Sequence, residues 1–137
     1  MPANIYEQLR RDEDDKATLY WDTTGNPTIG VGHNLHVPLS ARARQVILED
    51  DVQVAEEALK TRLPWVYNLS DARRGALINL TFNLGIDGLL GFRKMLRAAE
   101  AGDWQTVHAE LLNSTYAKQV GDRAQRLAAQ LLTDQWV

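Results

Sequence analysis

The sequence contains no cysteine among its 137 residues. The fold therefore needs neither a disulfide nor a cysteine-bound metal, although this absence says little about the compartment. The first twenty residues include arginines and acids but no apolar run, which excludes a secretory signal or a membrane span there. We therefore expect a protein that is made and left in the cytoplasm, without stable insertion into a membrane.

Positive charge is also scarce, because 15 lysines and arginines stand against 18 acids and the net charge is −3. Proteins that bind nucleic acid display a basic surface, so this balance disfavours a nucleic-acid partner. The content of 45% hydrophobic and 24% charged residues is ordinary for a globular domain of this length. A local basic strip could form from five residues, although such residues usually line a solvated face: Arg73, Arg74, Arg93, Lys94 and Arg97.

Signals for bound cofactors are missing as well. His36 and His108 have no companions at metal-ligand spacing, and no phosphate loop or Ser or Cys nucleophile motif is present. We therefore expect neither a metal nor a cofactor. The sequence also has no internal repeats or low-complexity segments.

What the chain does contain is one stretch that combines a helix end with a hairpin. Residues 19–21 and 28–31 are short β-favouring runs, and the Gly-containing segment 23–26 between them predicts a turn. Asp22 then lies where the first strand ends, and Glu13 precedes it at the far end of a helical pattern. A helix end and a hairpin can face one another with two carboxylates and a hydroxyl between them, which is a candidate acid/base site.

The N-terminal helix is predicted from Asn4 to about Glu13. Asn4 can cap it, with Glu7 three residues on in the manner of a capping box, and an apolar stripe follows at helical spacing: Ile5, Tyr6 and Leu9. At the helix end, the negative pole of the macrodipole and the neighbouring acids both favour the protonated form of Glu13. A general acid needs that proton, although an acidic run of this kind is by itself more often a solvated helix end.

The rest of the chain is predicted to be helical. We expect helices from Ser40, as cap, to about residue 62, from Ser70, as cap, to Gly85, and over residues 92–101, 104–112 and 122–132. The first of these has two apolar rows: Ile47, Val54 and Ala58 in one, and Leu48, Val52, Ala55 and Leu59 in the other. Asp51 lies in the first row and needs a partner if it is buried.

Gly75, Asn79 and Asn83 interrupt the apolar coat of the central helix at four-residue intervals. They form one polar strip. From the residues alone, this strip could face either a cleft or the solvent.

The ordered motif Glu13, Asp22-x-x-Gly25-x-x-Thr28-Ile29-Gly30-x-Gly32-His33 resembles the signature of the phage-type lysozymes, a family of endolysins. The similarity continues through residues 71–80, 83–85, 91–92 and 123–126. The resemblance implies a peptidoglycan hydrolase for host cell lysis. It would cleave the β-1,4 bond between N-acetylmuramic acid and N-acetylglucosamine and would need no cofactor.

The resemblance also implies a two-lobed α+β fold that is mostly helical and forms a single domain over residues 1–137. A small hairpin lobe would cover about 14–40 and an inter-lobe helix about 41–62. The larger helical lobe would cover about 63–137 together with the N-terminal helix 4–13. We expect a monomer whose partner is the glycan strand, located in the host bacterial cytoplasm and reaching the wall with help from another factor.

The catalytic roles implied by the resemblance belong to Glu13, Asp22 and Thr28. Glu13 would protonate the leaving oxygen while Asp22 and the Thr28 hydroxyl hold the attacking water, in inverting hydrolysis. Other positions are assigned in the same way: Gly30, Asn79, Asn83 and Phe92 to substrate binding, Arg123 to pairing with Glu13, and His33 to pairing with Asp51.

Two positions depart from the family pattern. Asp14 follows the catalytic Glu where the family commonly has Gly, and Thr115 stands where it often has Trp over the active-site wall. Aspartate tolerates a left-handed backbone better than most residues, so we expect some strain at Asp14 but an intact fold. Two other functions stay open: a lytic transglycosylase acting on the same bond, which has no use for Asp22 and Thr28, and a non-catalytic wall-binding module.

Overall fold

A computed structural model describes residues 1–137 of the chain. It contains seven α-helices, one 3₁₀ helix and a three-stranded sheet, which confirms the mostly helical α+β class. The chain forms two compact units, Met1–Gln45 and Val46–Val137. The N-terminal helix belongs to the first unit, with the hairpin, whereas the sequence analysis placed it with the helical lobe.

The first unit contains one helix and one antiparallel sheet. Helix α1 spans Ile5–Glu13, and strands β1, β2 and β3 span Lys16–Trp21, Pro27–Gly30 and His33–Asn34. The central strand is β2, and Thr28 pairs with Tyr20 of β1 and with Asn34 of β3. The hairpin is as predicted from its turn residues, but the short strand β3 was not expected.

Helix α1 begins and ends where its sequence predicts. The Asn4 side chain accepts a hydrogen bond from the backbone N–H of Glu7 at 3.0 Å. The Glu7 carboxylate accepts one in return from the N–H of Ala3 at 2.7 Å, one residue before the cap of an ideal capping box. Both contacts satisfy backbone donors that the first turn of a helix leaves free.

Asp14 connects α1 to β1 through a strained backbone. Its φ of 66° is positive, as expected, but its ψ of 168° lies outside the left-handed helical region that aspartate tolerates. This combination of angles is populated almost only by glycine, and it costs another residue about 1–3 kcal/mol. The expectation of mild strain was therefore too low.

Asp14→Gly is expected to raise the free energy of unfolding by about 1 kcal/mol, because relief of the strain exceeds the entropy cost of glycine. Denaturant titration measures the change. Asp14→Asn is the matched control, since it removes the negative charge and keeps the side chain. Equal stabilisation by both substitutions would attribute the effect to charge and reject strain.

The second unit consists of helices. Helix α2 begins in the first unit and continues into the second, and the elements have these bounds: α2 Ala41–Arg62, the 3₁₀ helix Pro64–Asn68, α3 Asp71–Leu90, α4 Arg93–Ala101, α5 Trp104–Leu112, α6 Thr115–Val120 and α7 Asp122–Thr133. The predicted break at Gly85 is present inside α3, where φ is 75° and ψ is 163°. Helix α6, which Ser114 caps, and the 3₁₀ helix were not predicted.

The hydrophobic core of the second unit forms around α3, α5 and α7. The predicted face of α7 is buried, and its members are Ala124, Leu127, Ala128 and Leu131. Ala76, Leu77 and Leu80 of α3 pack in the same cluster, which explains why this helix is apolar around most of its surface. No single helix is both long and apolar enough to cross a membrane; α3 and α4 together would be, but they are bent by 105°.

The second unit differs in three details from the picture that the sequence suggests. Ser70 does not cap α3 through its side chain, because its hydroxyl donates to Asp134. Arg73 does not lie on a solvated face, since it stacks 4.1 Å from the Trp104 ring centroid and donates to the carbonyls of Leu131 and Leu132. The first apolar row of α2 is not buried: Ile47, Asp51 and Val54 are exposed, and Ala55 and Leu59 of the second row are buried instead.

Candidate active site

Asp22 is held in the hairpin turn by three hydrogen bonds to one of its oxygens. The backbone N–H groups of Thr24 and Asn26 donate to Oδ1 at 2.9 and 2.8 Å, and the Thr24 hydroxyl donates at 2.8 Å. The turn forms because an aspartate at its first position can satisfy backbone donors two and four residues on, while Gly25 takes the positive φ of 82°. The other carboxylate oxygen, Oδ2, accepts none of these three hydrogen bonds.

These hydrogen bonds also set the charge of the side chain. The backbone N–H of Asn26, followed by the Thr24 hydroxyl, holds the pKa of Asp22 below its ordinary value. Each donor stabilises the carboxylate more than the neutral acid. Asp22 is therefore ionised at neutral and mildly acidic pH, as a general base must be.

Asn26 connects Asp22 to Thr28 through its backbone. Its N–H donates to Asp22 Oδ1, and its carbonyl accepts hydrogen bonds from the Asp22 N–H and the Thr28 hydroxyl, both at 2.9 Å. Thr28 is only 3% exposed and lies on the central strand β2. Because the Thr28 hydroxyl donates its hydrogen to the Asn26 carbonyl, it can act toward any other group only as a hydrogen-bond acceptor.

Glu13 ends α1 beside Gly32. A Cβ atom built on Gly32 would lie 2.9 Å from Glu13 Oε2 and 3.1 Å from its Cβ and Cδ atoms, so only glycine leaves room for the carboxylate. The φ of Gly32, 62°, also favours glycine. The absence of a side chain at Gly32 thus lets the Glu13 side chain pack against the loop between β2 and β3.

Gly32→Ala is expected to lower kcat/KM by about 10²-fold, because the added methyl displaces the Glu13 carboxylate and a misplacement near 1 Å has that effect. Turbidity clearing of a peptidoglycan suspension measures the loss. Gly102→Ala is the control, since Gly102 has a φ of 77° and no atom within 4 Å of an added Cβ. If both variants lose activity only in proportion to stability, contact with Gly32 does not position Glu13.

In the second unit, Asn79 and Asn83 of α3 each accept a hydrogen bond from a side chain of another helix. Arg123 Nε and Nη2 donate to Asn79 Oδ1 at 3.1 and 2.7 Å. The Tyr116 hydroxyl donates to Asn83 Oδ1 at 3.0 Å, and its ring packs edge-on against Phe92 with centroids 6.2 Å apart. Asn79 and Asn83 of the polar strip are thus exposed and bound by side chains from α7 and α6, whereas Gly75 is half-buried against Trp136.

Tyr116 was missed by the sequence analysis. Thr115 opens α6 where the family often has Trp, and the residue after it, Tyr116, is buried with its hydroxyl donating to Asn83. Burial of the Tyr116 ring raises the pKa of its hydroxyl, so it stays a hydrogen-bond donor to Asn83. A helical pattern over residues 115–120 and the Ser114 cap were the signals that could have identified it.

The remaining predicted positions fall in different units. Glu13, Asp22, Thr28, Gly30 and His33 belong to the first unit, and the others to the second: Asp51, Asn79, Asn83, Phe92 and Arg123. Gly30 has a φ of 65° and pairs with Lys16 across the hairpin. The predicted pairs of Arg123 with Glu13 and of His33 with Asp51 each join the two units, so both stay predictions. No group of three or more His, Cys, Asp or Glu residues is arranged to hold a metal.

An ionised, hydrogen-bonded carboxylate, an accepting hydroxyl and a second carboxylate at a helix end are the kinds of groups that acid/base hydrolysis requires. The family model described as Phage lysozyme matches residues 11–130, and the chain belongs to that family. It is therefore a lysozyme, a glycoside hydrolase that acts on peptidoglycan.

Three relatives illustrate the range of this family. The Dictyostelium discoideum protein named Probable T4-type lysozyme 1 is 27% identical over 163 aligned residues, covering 97% of this chain and 96% of its own. The Pre-baseplate central spike protein Gp5 of Enterobacteria phage T4 is 30% identical over 95% of this chain, which spans 28% of that protein. The Endolysin of Salmonella phage P22 is 32% identical over 65% of this chain and 66% of its own.

Proposed function

We propose that the protein is an N-acetylmuramidase that cleaves the β-1,4 bond between N-acetylmuramic acid and N-acetylglucosamine by inverting hydrolysis. The observation that carries this proposal is the connection of Asp22 to Thr28 through the Asn26 backbone. It offers two fixed acceptors and no competing donor to one water molecule. In the proposed mechanism this water is the nucleophile.

Asp22 Oδ2 and Thr28 Oγ1 would each accept one hydrogen of that water. A water molecule that donates both hydrogens has its lone pairs directed away from the two acceptors, and these lone pairs are then available to attack the anomeric carbon. As the bond forms, the proton passes to Asp22, which acts as the general base. The hydroxyl of Thr28 is not consumed and serves only to orient the water.

Glu13 would act from the opposite side of the sugar by protonating the leaving glycosidic oxygen. Inverting enzymes keep their two carboxyl groups about 6.5–9.5 Å apart so that a water fits between the base and the sugar, whereas retaining enzymes bring them to about 5–5.5 Å. A nucleophilic Asp22 would need no bound hydroxyl to orient a water. The Asn26 arrangement therefore favours inversion.

The test is the configuration of the first product. Proton NMR during hydrolysis of peptidoglycan should show the α-anomer at the new reducing end before mutarotation, because attack with inversion converts the β-bond. Initial release of the β-anomer would reject the inverting mechanism. Release of anhydro-sugar ends without reducing ends would instead identify a lytic transglycosylase, and failure to clear a turbid wall suspension would leave a wall-binding module.

We propose host cell lysis as the biological role, acting from the bacterial cytoplasm with a separate factor that opens the membrane. The relative from Salmonella phage P22 carries the name Endolysin, which supports this role. Expression in a bacterial cytoplasm should cause lysis only when a membrane pore is supplied. Lysis without the pore would reject the need for a second factor.

A further inference from the structure

The three donors on Asp22 Oδ1 are of two kinds. The N–H groups of Thr24 and Asn26 belong to the backbone of the turn and are present whatever side chains occupy it. The Thr24 hydroxyl, at 2.8 Å, is a side-chain donor that the turn itself does not require. The sequence analysis assigned no role to Thr24.

The direction of that hydroxyl is fixed by a second side chain. Asn26 Nδ2 donates to Thr24 Oγ1 at 2.9 Å, and Thr24 Oγ1 in turn donates to Asp22 Oδ1. An amide nitrogen can only donate, so the hydrogen of the Thr24 hydroxyl cannot point back at Asn26. These two hydrogen bonds, here called the relay, therefore have one direction: the Asn26 amide donates to the Thr24 hydroxyl, and this hydroxyl donates to the Asp22 carboxylate.

We infer that Thr24 is a positioning residue for the general base: its hydroxyl, oriented by the Asn26 side chain, binds Asp22 Oδ1 and so presents Oδ2 to the nucleophilic water. This inference rests on the proposed function, because it assumes that Asp22 is the base. Without the hydroxyl, one of three contacts that fix rotation of the carboxylate is lost. The two backbone donors still bind Oδ1, but the carboxylate is held less firmly and presents Oδ2 to the water less well.

Loss of the relay also has a defined effect on pH dependence. The Thr24 hydroxyl is one of the groups that lower the pKa of Asp22, so removing it raises that pKa. Activity rises on the acid side of the pH profile as the base ionises, and the acid limb therefore moves to higher pH. The alkaline limb reports the general acid and stays where it is.

Thr24→Val tests the inference because it keeps the β-branched shape and the backbone N–H but removes the hydroxyl. We expect kcat/KM to fall about tenfold at mildly acidic pH, as for loss of a hydrogen bond to a charged group, and the acid limb to move to higher pH. Thr24→Ser should restore both. Thr23→Val is the control, since its hydroxyl makes no hydrogen bond to Asp22 and its removal should change neither quantity.

Thermal melts and the variant Asp22→Asn separate the possible outcomes. If Asp22→Asn is inactive but Thr24→Val keeps the wild-type acid limb, the positioning role is rejected and the proposed function stands. A lower melting temperature for Thr24→Val with an unmoved acid limb would assign Thr24 to turn stability alone, which also overturns the inference. If Asp22→Asn stays active, the proposed function fails and the inference fails with it.

Discussion

Glu13→Gln should abolish hydrolysis of peptidoglycan and leave the fold intact. The amide has the shape of the carboxyl group and can therefore take its place against Gly32. It cannot protonate the leaving oxygen, however, and loss of a general acid costs about 10²–10⁴-fold in rate. Clearing of a turbid wall suspension measures the loss, and thermal melts test the fold.

Asp12→Asn is the matched control for this variant. Asp12 adjoins Glu13 on α1, and its substitution by an amide changes the net charge by the same amount. Its contact with Arg11 is an exposed ion pair, which contributes little to stability. We expect near wild-type activity from this control. Near wild-type activity from Glu13→Gln as well would remove Glu13 from the acid role.

The hairpin and its acid were predictable because their determinants are local. A turn that begins with Asp22 and contains Gly25 needs only neighbouring backbone groups, and these are what the structure provides. The caps of α1 and α5 follow the same logic, since Asn4 and Asp103 accept hydrogen bonds from residues three positions on. Such contacts depend on spacing alone, which a sequence displays directly.

Features that depend on distant residues were not predictable in this way. Ser70 has the right position for a cap, but its hydroxyl donates to Asp134, which follows 64 residues later in the chain. Arg73 looked like a solvated cation and instead stacks on Trp104. In both cases the tertiary structure supplies a partner far along the chain, Asp134 for Ser70 and Trp104 and Leu131 for Arg73, and this contact overrides the local preference.

In the candidate site, some contacts escaped prediction even though they are local. Asp22 and Thr28 could be selected from the motif, but the motif does not show that Asn26 joins them or that Thr24 occupies one carboxylate oxygen. Tyr116 was missed because α6, the short helix that carries it, was not predicted. The motif thus selected the candidate acid and the candidate base, whereas the groups that bind Asp22 and Thr28 were visible only in the structure.

Asp22→Asn should be as damaging as loss of the acid, with a fall of about 10²–10⁴-fold in kcat, because an amide cannot accept the proton of the attacking water. The turn should survive, since the amide oxygen can still accept from Thr24 and Asn26. Asp22→Ala removes these acceptors too and should lower stability as well as activity. The comparison separates the catalytic role of the carboxylate from its role in the turn.

The pH dependence of stability gives Asp22→Asn a second signature. The folded pKa of Asp22 is lowered, so its contribution to stability is present above the ordinary value near 3.9 and is lost as pH falls through the folded value. Asp103→Asn is the matched control: Thr106 lowers the pKa of Asp103 in the same way, through its N–H and its hydroxyl, at the start of α5. Both variants should lose this acid-dependent contribution in thermal melts, but only Asp22→Asn should lose activity. Equal activity in the two variants would make Asp22 a structural turn residue and reject it as the base.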